Sequence, residues 1–424
     1  MICISIYDKV WTMKNRILLF LTLLSPLIIS CANADSIPML ESTSYISMET
    51  TTVSNPPMNS STIEESITSL PSTSCSITSQ QEDPATRFDF SPQCMTHLNY
   101  IGTNLTDRDI NGVSNNDHND AKAYIQNVLA NAGYSNVFEQ SFTYRRKSAA
   151  NVVCRIAGIS HTKRVVLGAH YDGDGVGDNG SGIALLLGVA EGIAGITPYY
   201  DLDIVFFDCE EVGEYGSIAY VNALEDPSAI AFMINIDSIA FGDYPNIYGG
   251  NQSSSGNITQ LEAYNLAVAK AINLGFNMWD SDDLDGYFAL HGTGPEIAEN
   301  TFYTNPWTKN HDSPNHLRVY SPTTLDASDH VPFKDAGIPI VYFEATNWFS
   351  AGDGGYDAYS GYFEVYDTTI GDHGMFMNTQ YDTLANLNAY FPGRAEQHFH
   401  IYSSLLSSLV LYPNTNEAAP QNDH

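Results

Sequence analysis

The chain has 424 residues, enough for one large α/β domain with an ample core, and it carries 49 Asp plus Glu against 17 Lys plus Arg, a formal charge of -32. So few cations exclude phosphate-backbone recognition and attraction to anionic lipid, so no nucleic acid is expected as a partner. The acidity itself is read as the solubility of an exported protein.

The first residues carry an address. Met13 to Arg16 are a basic start, Ile17 to Ile29 an apolar run too short to span a bilayer, and Ala32-Asn33-Ala34 a small-residue cleavage site. Residues 1–34 are therefore expected to be a signal peptide, starting at Met1 or, as its completeness suggests, at Met13. The mature chain would be secreted or periplasmic, with no transmembrane segment. In a rival reading Ile28-Ile29-Ser30-Cys31 resembles a lipobox, and Cys31 carries a lipid anchor. Residues 35–87, rich in Ser, Thr and Pro, hold too few apolar side chains to pack and are expected to be a disordered linker. A single domain follows over residues 88–413, then a tail over 414–424. Of 6 cysteines, four follow the expected signal peptide and can pair three ways; a Cys75–Cys94 bridge would clip the linker to the domain, whereas Cys154 and Cys209 lie in apolar runs that suit buried thiols. No CxxC spacing proposes a thiolate metal site.

Within the domain, periodicity gives a helix near 119–132 closed by Gly133, then strands near 137–144, 151–157 and 165–169. A helix near 183–193 comes next, followed by strands near 204–207 and 232–236, a helix near 259–274, a strand near 338–343 and a closing helix near 394–411. Short Val, Ile and Phe runs alternating with helices indicate an α/β fold with a largely parallel sheet.

Four apolar runs stop on ligand-type residues: RVVLGAH on His170, DIVFFDCEE on Glu210 and Glu211, AFMINID on Asp237, and IPIVYFE on Glu344. Ligands of such sheets bind at the carboxyl ends of the strands. Several carboxylates converging there with one histidine call for a divalent cation. In GAHYDGDGVGDNGSG, His170 and Asp178 are nitrogen and oxygen donors that suit zinc, and the glycines let the backbone turn close to an ion. Asp172, two residues beyond His170, is placed to orient it. An acidic, Gly-rich turn of this kind is also found as a solvated loop or a calcium site. The adjacent Glu210 and Glu211 should point to different sides, one towards a metal and the other towards an attacking water.

Taken in order, HYDG, GDNGSG, FFDCEEVGEYGS, NIDS and ASDHVPFKDAGIPIVYFE resemble the di-zinc exopeptidases that include bacterial leucyl aminopeptidases, glutamate carboxypeptidase and the glutaminyl cyclases. The resemblance spans about Phe88 to Pro413. EATNW at Glu344 to Trp348 and FPGR at Phe391 to Arg394 look most like the alkaline-phosphatase isozyme-conversion aminopeptidases. It implies a mixed, mostly parallel sheet flanked by helices on both faces. It also implies zinc as cofactor, with His170 and Asp237 on one ion, Asp178 bridging, Glu211 on the other ion and Glu210 as base. The substrate would be a peptide or protein with a free N-terminus. Asp329 and His330 match the family's SDH, with a hydrogen-bonded loop as the plainer reading, and Glu344, Asn347 and Trp348 are candidate walls of the side-chain pocket.

One position departs from the family. Its last zinc ligand, a His heading a segment like HTxxDT, is here Asn378 in NTQYDT, so the ion on Glu211 and Asp178 would be weakly held or absent. His373, five residues earlier, is either a substitute or an exposed loop residue. The leading expectation is an exported zinc aminopeptidase. The alternatives are a catalytically impaired peptide-binding relative and an enzyme like the glutaminyl cyclases.

Overall fold

A computed structural model describes residues 88–111, 117–252, 258–279, 297–303, 327–347, 364–365, 367 and 369–413. The expected signal peptide, linker and tail, together with Cys31, Cys75 and Trp348, lie outside these residues. All described residues belong to one unit, Thr78–His424.

Elements run in the order α1 (Ser91–Asn104), α2 (Asp117–Asn131), β1 (Val137–Tyr144), β2 (Lys147–Ile156), β3 (Ser160–His170), α3 (Gly180–Gly192), β4 (Tyr200–Phe207), α4 (Tyr215–Asn222), β5 (Ile230–Ile236), β6 (Tyr244–Gly249), α5 (Glu262–Asn273), α6 (His330–Asp335), β7 (Ile340–Thr346), α7 (Leu384–Tyr390) and α8 (Arg394–Leu411). The sheet order is β1-β2-β4-β3-β5-β7-β6. The four central strands β4, β3, β5 and β7 are mutually parallel, while β1, β2 and β6 pair antiparallel at the flanks. This is the mixed α/β architecture expected.

Strand alternation divides the core. Val165, Leu167 and Ala169 of β3 point to a cluster with α1, α2, α3, α5 and α8, whereas Val166 points to a second cluster with Tyr220 of α4 and Phe333 of α6. Helices therefore cover both faces. The central helix α3, GSGIALLLGVAEG, is apolar on every side and is buried from Gly180 to Ala190, as a core helix must be. Asn179 caps it, accepting the Gly182 N–H at 2.9 Å. A Cβ on Gly188 would stand 2.4 Å from Cys94 Sγ and 2.8 Å from Cys94 N, so the bare glycine sets how closely α1 crosses α3.

Cys94, Cys154 and Cys209 are free and buried. Cys94 is thus packed as a core thiol on α3, not presented at a surface for the expected clip. No helix among the described residues is long and apolar enough to cross a membrane.

Candidate metal centre

Strand register builds the site. β3 places His170 beside Phe207 of β4, and Gly168 beside Asn235 of β5, so two further residues bring Asp237 level with His170. β7 places Phe343 beside Ile236, and Asp237 N–H donates to the Phe343 carbonyl at 3.0 Å. His170 Nε2 lies 3.1 Å from Asp178 Oδ1, 3.3 Å from Asp237 Oδ1 and 4.0 Å from Glu210 Oε2. One ligand atom from each of His170, Asp178 and Asp237 falls within 4.8 Å of the others, and all three residues are buried.

Burial opposes a proton on His170, yet the charges of Asp237 and Glu210 and the contacts with Asp172 and Asp178 outweigh it and hold its pKa well above the ordinary value. The cluster asks for positive charge. A nitrogen and two carboxylate oxygens, converging and withdrawn from water, form a donor set that fits zinc. Burial favours the acid form of Asp237, but His170 and the hydroxyls of Ser328 and Ser238, at 2.8 and 3.2 Å, lower its pKa and keep it a carboxylate.

Asp172 stands 3.5 Å from His170 Nδ1 and also accepts the N–H groups of Glu210 at 3.0 Å and Glu211 at 3.3 Å. It therefore fixes the glutamate pair as well as bordering the imidazole. Just before the pair, Cys209 takes the left-handed φ of 64°, which turns the chain off β4. Glu210 then faces His170, while the Glu211 carboxylate lies over Gly173, where an added Cβ would meet Oε1 at 3.1 Å. Glu211 stands outside the group of three. Asp208, in the same motif, turns elsewhere: it accepts the Ala150 N–H and meets His118 Nε2 at 2.8 Å. Burial pushes Glu210 well above the usual carboxylate range, with His170 opposing and Glu211, Asp237 and Asp329 reinforcing the rise. Ser238 and Ser328 also have positive φ, 52° and 86°, so non-glycine strain gathers around the same few strand ends.

Several supporting residues had no reading in the sequence. Arg108, wholly buried, donates to the carbonyls of Leu105, Tyr171 and Gly175 at 2.7–3.0 Å, and its own N–H donates to the Gly173 carbonyl. It grips the loop between His170 and Asp178. Asp382, from NTQYDT, accepts the N–H groups of Gly177 at 2.6 Å and Asp178 at 3.0 Å from the other side. Ser328 bridges Asn235 and Asp237. Ser328 and Asp382 lie in motifs already singled out. Arg108, in the polar LTDRDI, left no periodic signal.

Other expected residues are placed differently. β7 does not stop at Glu344, because pairing with β6 continues through Glu344, Ala345 and Thr346; the Glu344 carboxylate accepts the Tyr342 hydroxyl at 3.2 Å and does not join the three. Asn347 and Arg394 both meet Asp243, at 2.6 and 3.0 Å, so EATNW and FPGR converge on one buried carboxylate. Asp329 is buried beside the site, and burial raises its pKa to about 8. His330 stacks on Tyr342. His373 is exposed, and Asn378 Nδ2 donates to Asp178 Oδ2 at 3.2 Å.

Comparison with known proteins matches residues 151–318 to peptidase family M28. Over 118 residues the chain is 31% identical to probable leucine aminopeptidase 2 of Arthroderma benhamiae, covering 26% of this chain and 24% of that one. Over 230 residues it is 27% identical to leupeptin-inactivating enzyme 1 of Streptomyces exfoliatus, covering 51% of this chain and 40% of that one. The chain spans about a quarter of the length of the leucine aminopeptidase it matches. A solved Zn-dependent exopeptidase from Parabacteroides distasonis is 17% identical, with 76% of this chain and 99% of that one covered at a TM-score of 0.48. The family match contains His170, Asp172, Asp178, Glu210, Glu211 and Asp237, and it ends before Asp329 and Asn378.

Proposed function

From the premise that residues 151–318 are a segment of peptidase family M28, we propose that this chain is a zinc-dependent aminopeptidase cleaving the N-terminal peptide bond with Glu210 as general base. The observation that carries the reading is the buried group His170, Asp178 and Asp237 with the Glu210 carboxylate 4.0 Å from the imidazole. His170, Asp178 and Asp237 would hold the ion; Glu211, a further ligand by the family resemblance, stands outside this group. A zinc ion in this group supplies Lewis-acid polarisation of the scissile carbonyl and acidifies the water used in hydrolysis.

The chain's own residues do the rest. Glu210 Oε2 accepts the proton of the attacking water and returns it to the leaving amine; its raised pKa, from burial among acidic neighbours, brings it nearer the range where both transfers are feasible. Asp172 keeps that carboxylate in place through the Glu210 and Glu211 N–H groups. Ser328 and Ser238 hold the Asp237 carboxylate in its ligating orientation. The substrate is a peptide or protein with a free amino end. Residues 1–34 would direct export and residues 35–87 would form a linker ahead of the domain; an intact N-terminus on protein recovered from the medium or periplasm would refute the signal peptide.

The test is hydrolysis of a panel of aminoacyl-anilides. Glu210→Gln should lower kcat/KM by about 10²–10⁴-fold and keep its zinc. A variant as active as wild type removes Glu210 from the role. A second reading, a peptide-binding relative without turnover, draws on the Asn378 amide at Asp178. It predicts peptide binding by calorimetry together with no anilide release and no pyroglutamate formation from N-terminal glutamine.

A further inference from the structure

Resting on the zinc reading above, we infer that this chain holds one zinc ion, on His170, Asp178 and Asp237, and that the Asn378 amide takes the place of a second. The two oxygens of Asp178 have different partners. Oδ1 turns to His170 Nε2 at 3.1 Å, within the group of three, while Oδ2 accepts the Asn378 Nδ2–H at 3.2 Å. An amide N–H directed at a carboxylate lone pair satisfies with a dipole what a second cation would satisfy with charge. The amide nitrogen has no lone pair to offer a metal. Turning the amide over would set its oxygen against the Asp178 carboxylate, a repulsive contact.

The fold delivers this amide deliberately. Glu364, buried, accepts the N–H groups of Phe376 at 2.6 Å and Met377 at 2.5 Å, which fixes the approach to residue 378. Ser238, next to Asp237, has its Oγ 3.2 Å from Met377 Sδ, which sets the same stretch against the end of β5. Asp382 then holds the Gly177 and Asp178 N–H groups, so the donor and acceptor of the Asn378 bond are set by one short segment, 376–382. Asn378 itself has φ 57°, the left-handed region that Asn tolerates better than most side chains.

Glu211 and Asp178 are two carboxylates, and catalytic zinc sites ordinarily take three protein ligands. His373 is exposed, and among the described residues the only metal-ligating group of three is His170, Asp178 and Asp237. A second ion beside Asp178 would have to displace the Asn378 hydrogen bond, and no second group of three is found among the described residues.

The experiment measures zinc per chain by elemental analysis on full-length protein, dialysed against buffered zinc, for wild type, Glu211→Gln, Asp237→Ala and Asn378→Asp. Expected values are about one for wild type and for Glu211→Gln. Asp237→Ala should lose the ion. Asn378→Asp keeps the shape and the left-handed backbone, exchanges the donor for an oxygen ligand, and should gain a second equivalent. Two firmly held equivalents in wild type, or loss of the ion in Glu211→Gln, overturn the inference. Neither result depends on the Asn378 variant folding. Two equivalents with anilide hydrolysis would overturn only the single-ion inference, whereas zero equivalents in folded wild type would remove the zinc reading as well.

Discussion

Arg108 shows how much of the loop between two proposed ligands, His170 and Asp178, can depend on a residue that is neither of them. Its guanidinium is enclosed, its donors end on carbonyls, and its charge faces Asp382, Asp178, Asp172 and Asp174. Replacing it with Met would leave three buried carbonyls without donors and four acidic groups without their cation. We expect Arg108→Met to cost about 3–5 kcal/mol in urea unfolding; a loss below about 1 kcal/mol would mean the loop holds itself. At this scale the sequence was informative where chemistry and position coincide. His170, Asp178 and Asp237 could be singled out because each follows an apolar run or a glycine turn, and the structure brings these three together. Glu344 misled for the same reason, since a carboxylate inside a strand looks like one at its end when the neighbouring strand is unknown. Arg108 was illegible because a buried cation among polar residues leaves no pattern in the chain.

At the scale of elements, β1 and α8 were readable to the residue: β1 alternates over its second half and ends on the buried Tyr144, and α8 opens after Gly393 and stops short of Pro413. β6, YPNIYG, was not. Its proline and glycine argue against a strand, and it exists because an edge strand tolerates Pro and because β7 supplies its partners. α1 escaped because Cys94 and His97, two of its buried residues, are weak apolar markers. The α1–α3 crossing gives a direct test: Gly188→Ala places a methyl against Cys94 backbone nitrogen as well as its sulfur, and should destabilise by about 1–3 kcal/mol in urea unfolding. α8 gives a pH test. His398 on this helix donates from Nδ1 to the Ile239 carbonyl at 2.7 Å, and burial together with nearby Arg394 lowers its pKa from 6.5 to about 3. The folded protein keeps it neutral while the unfolded chain protonates below 6.5. Its contribution is therefore complete above pH 6.5 and drains as pH falls towards 3, by about 1 kcal/mol per pH unit. In His398→Gln that part of the acid slope should vanish; an unchanged slope in urea titrations between pH 7 and 5 would assign it to other groups.

For the whole molecule, the three proposed ligands sit at the end of β3, in the loop before α3 and just after β5, so an ion on them would join two adjacent central strands of the sheet. Chelation should lower the melting temperature by several degrees and zinc should restore it, since about 100-fold saturation of a native-only site adds about 2.7 kcal/mol. A melting temperature indifferent to both would count against any ion in this group. The α/β class was legible from alternating runs, whereas the strand order was not, because antiparallel flanks depend on pairings between distant segments. The closing contact of the fold adds something further. Phe90 N–H, at the entry to α1, donates to Ser403 Oγ of α8 at 3.1 Å, and Phe399, Leu406 and Val410 of α8 share one core with Leu98 and Ile101 of α1. During synthesis the side of α1 that meets α8 must wait for that helix, more than three hundred residues on. At about 5–20 residues per second that leaves the part of α1 facing α8 uncovered for some 15–60 s, while the part against α3 can pack much sooner.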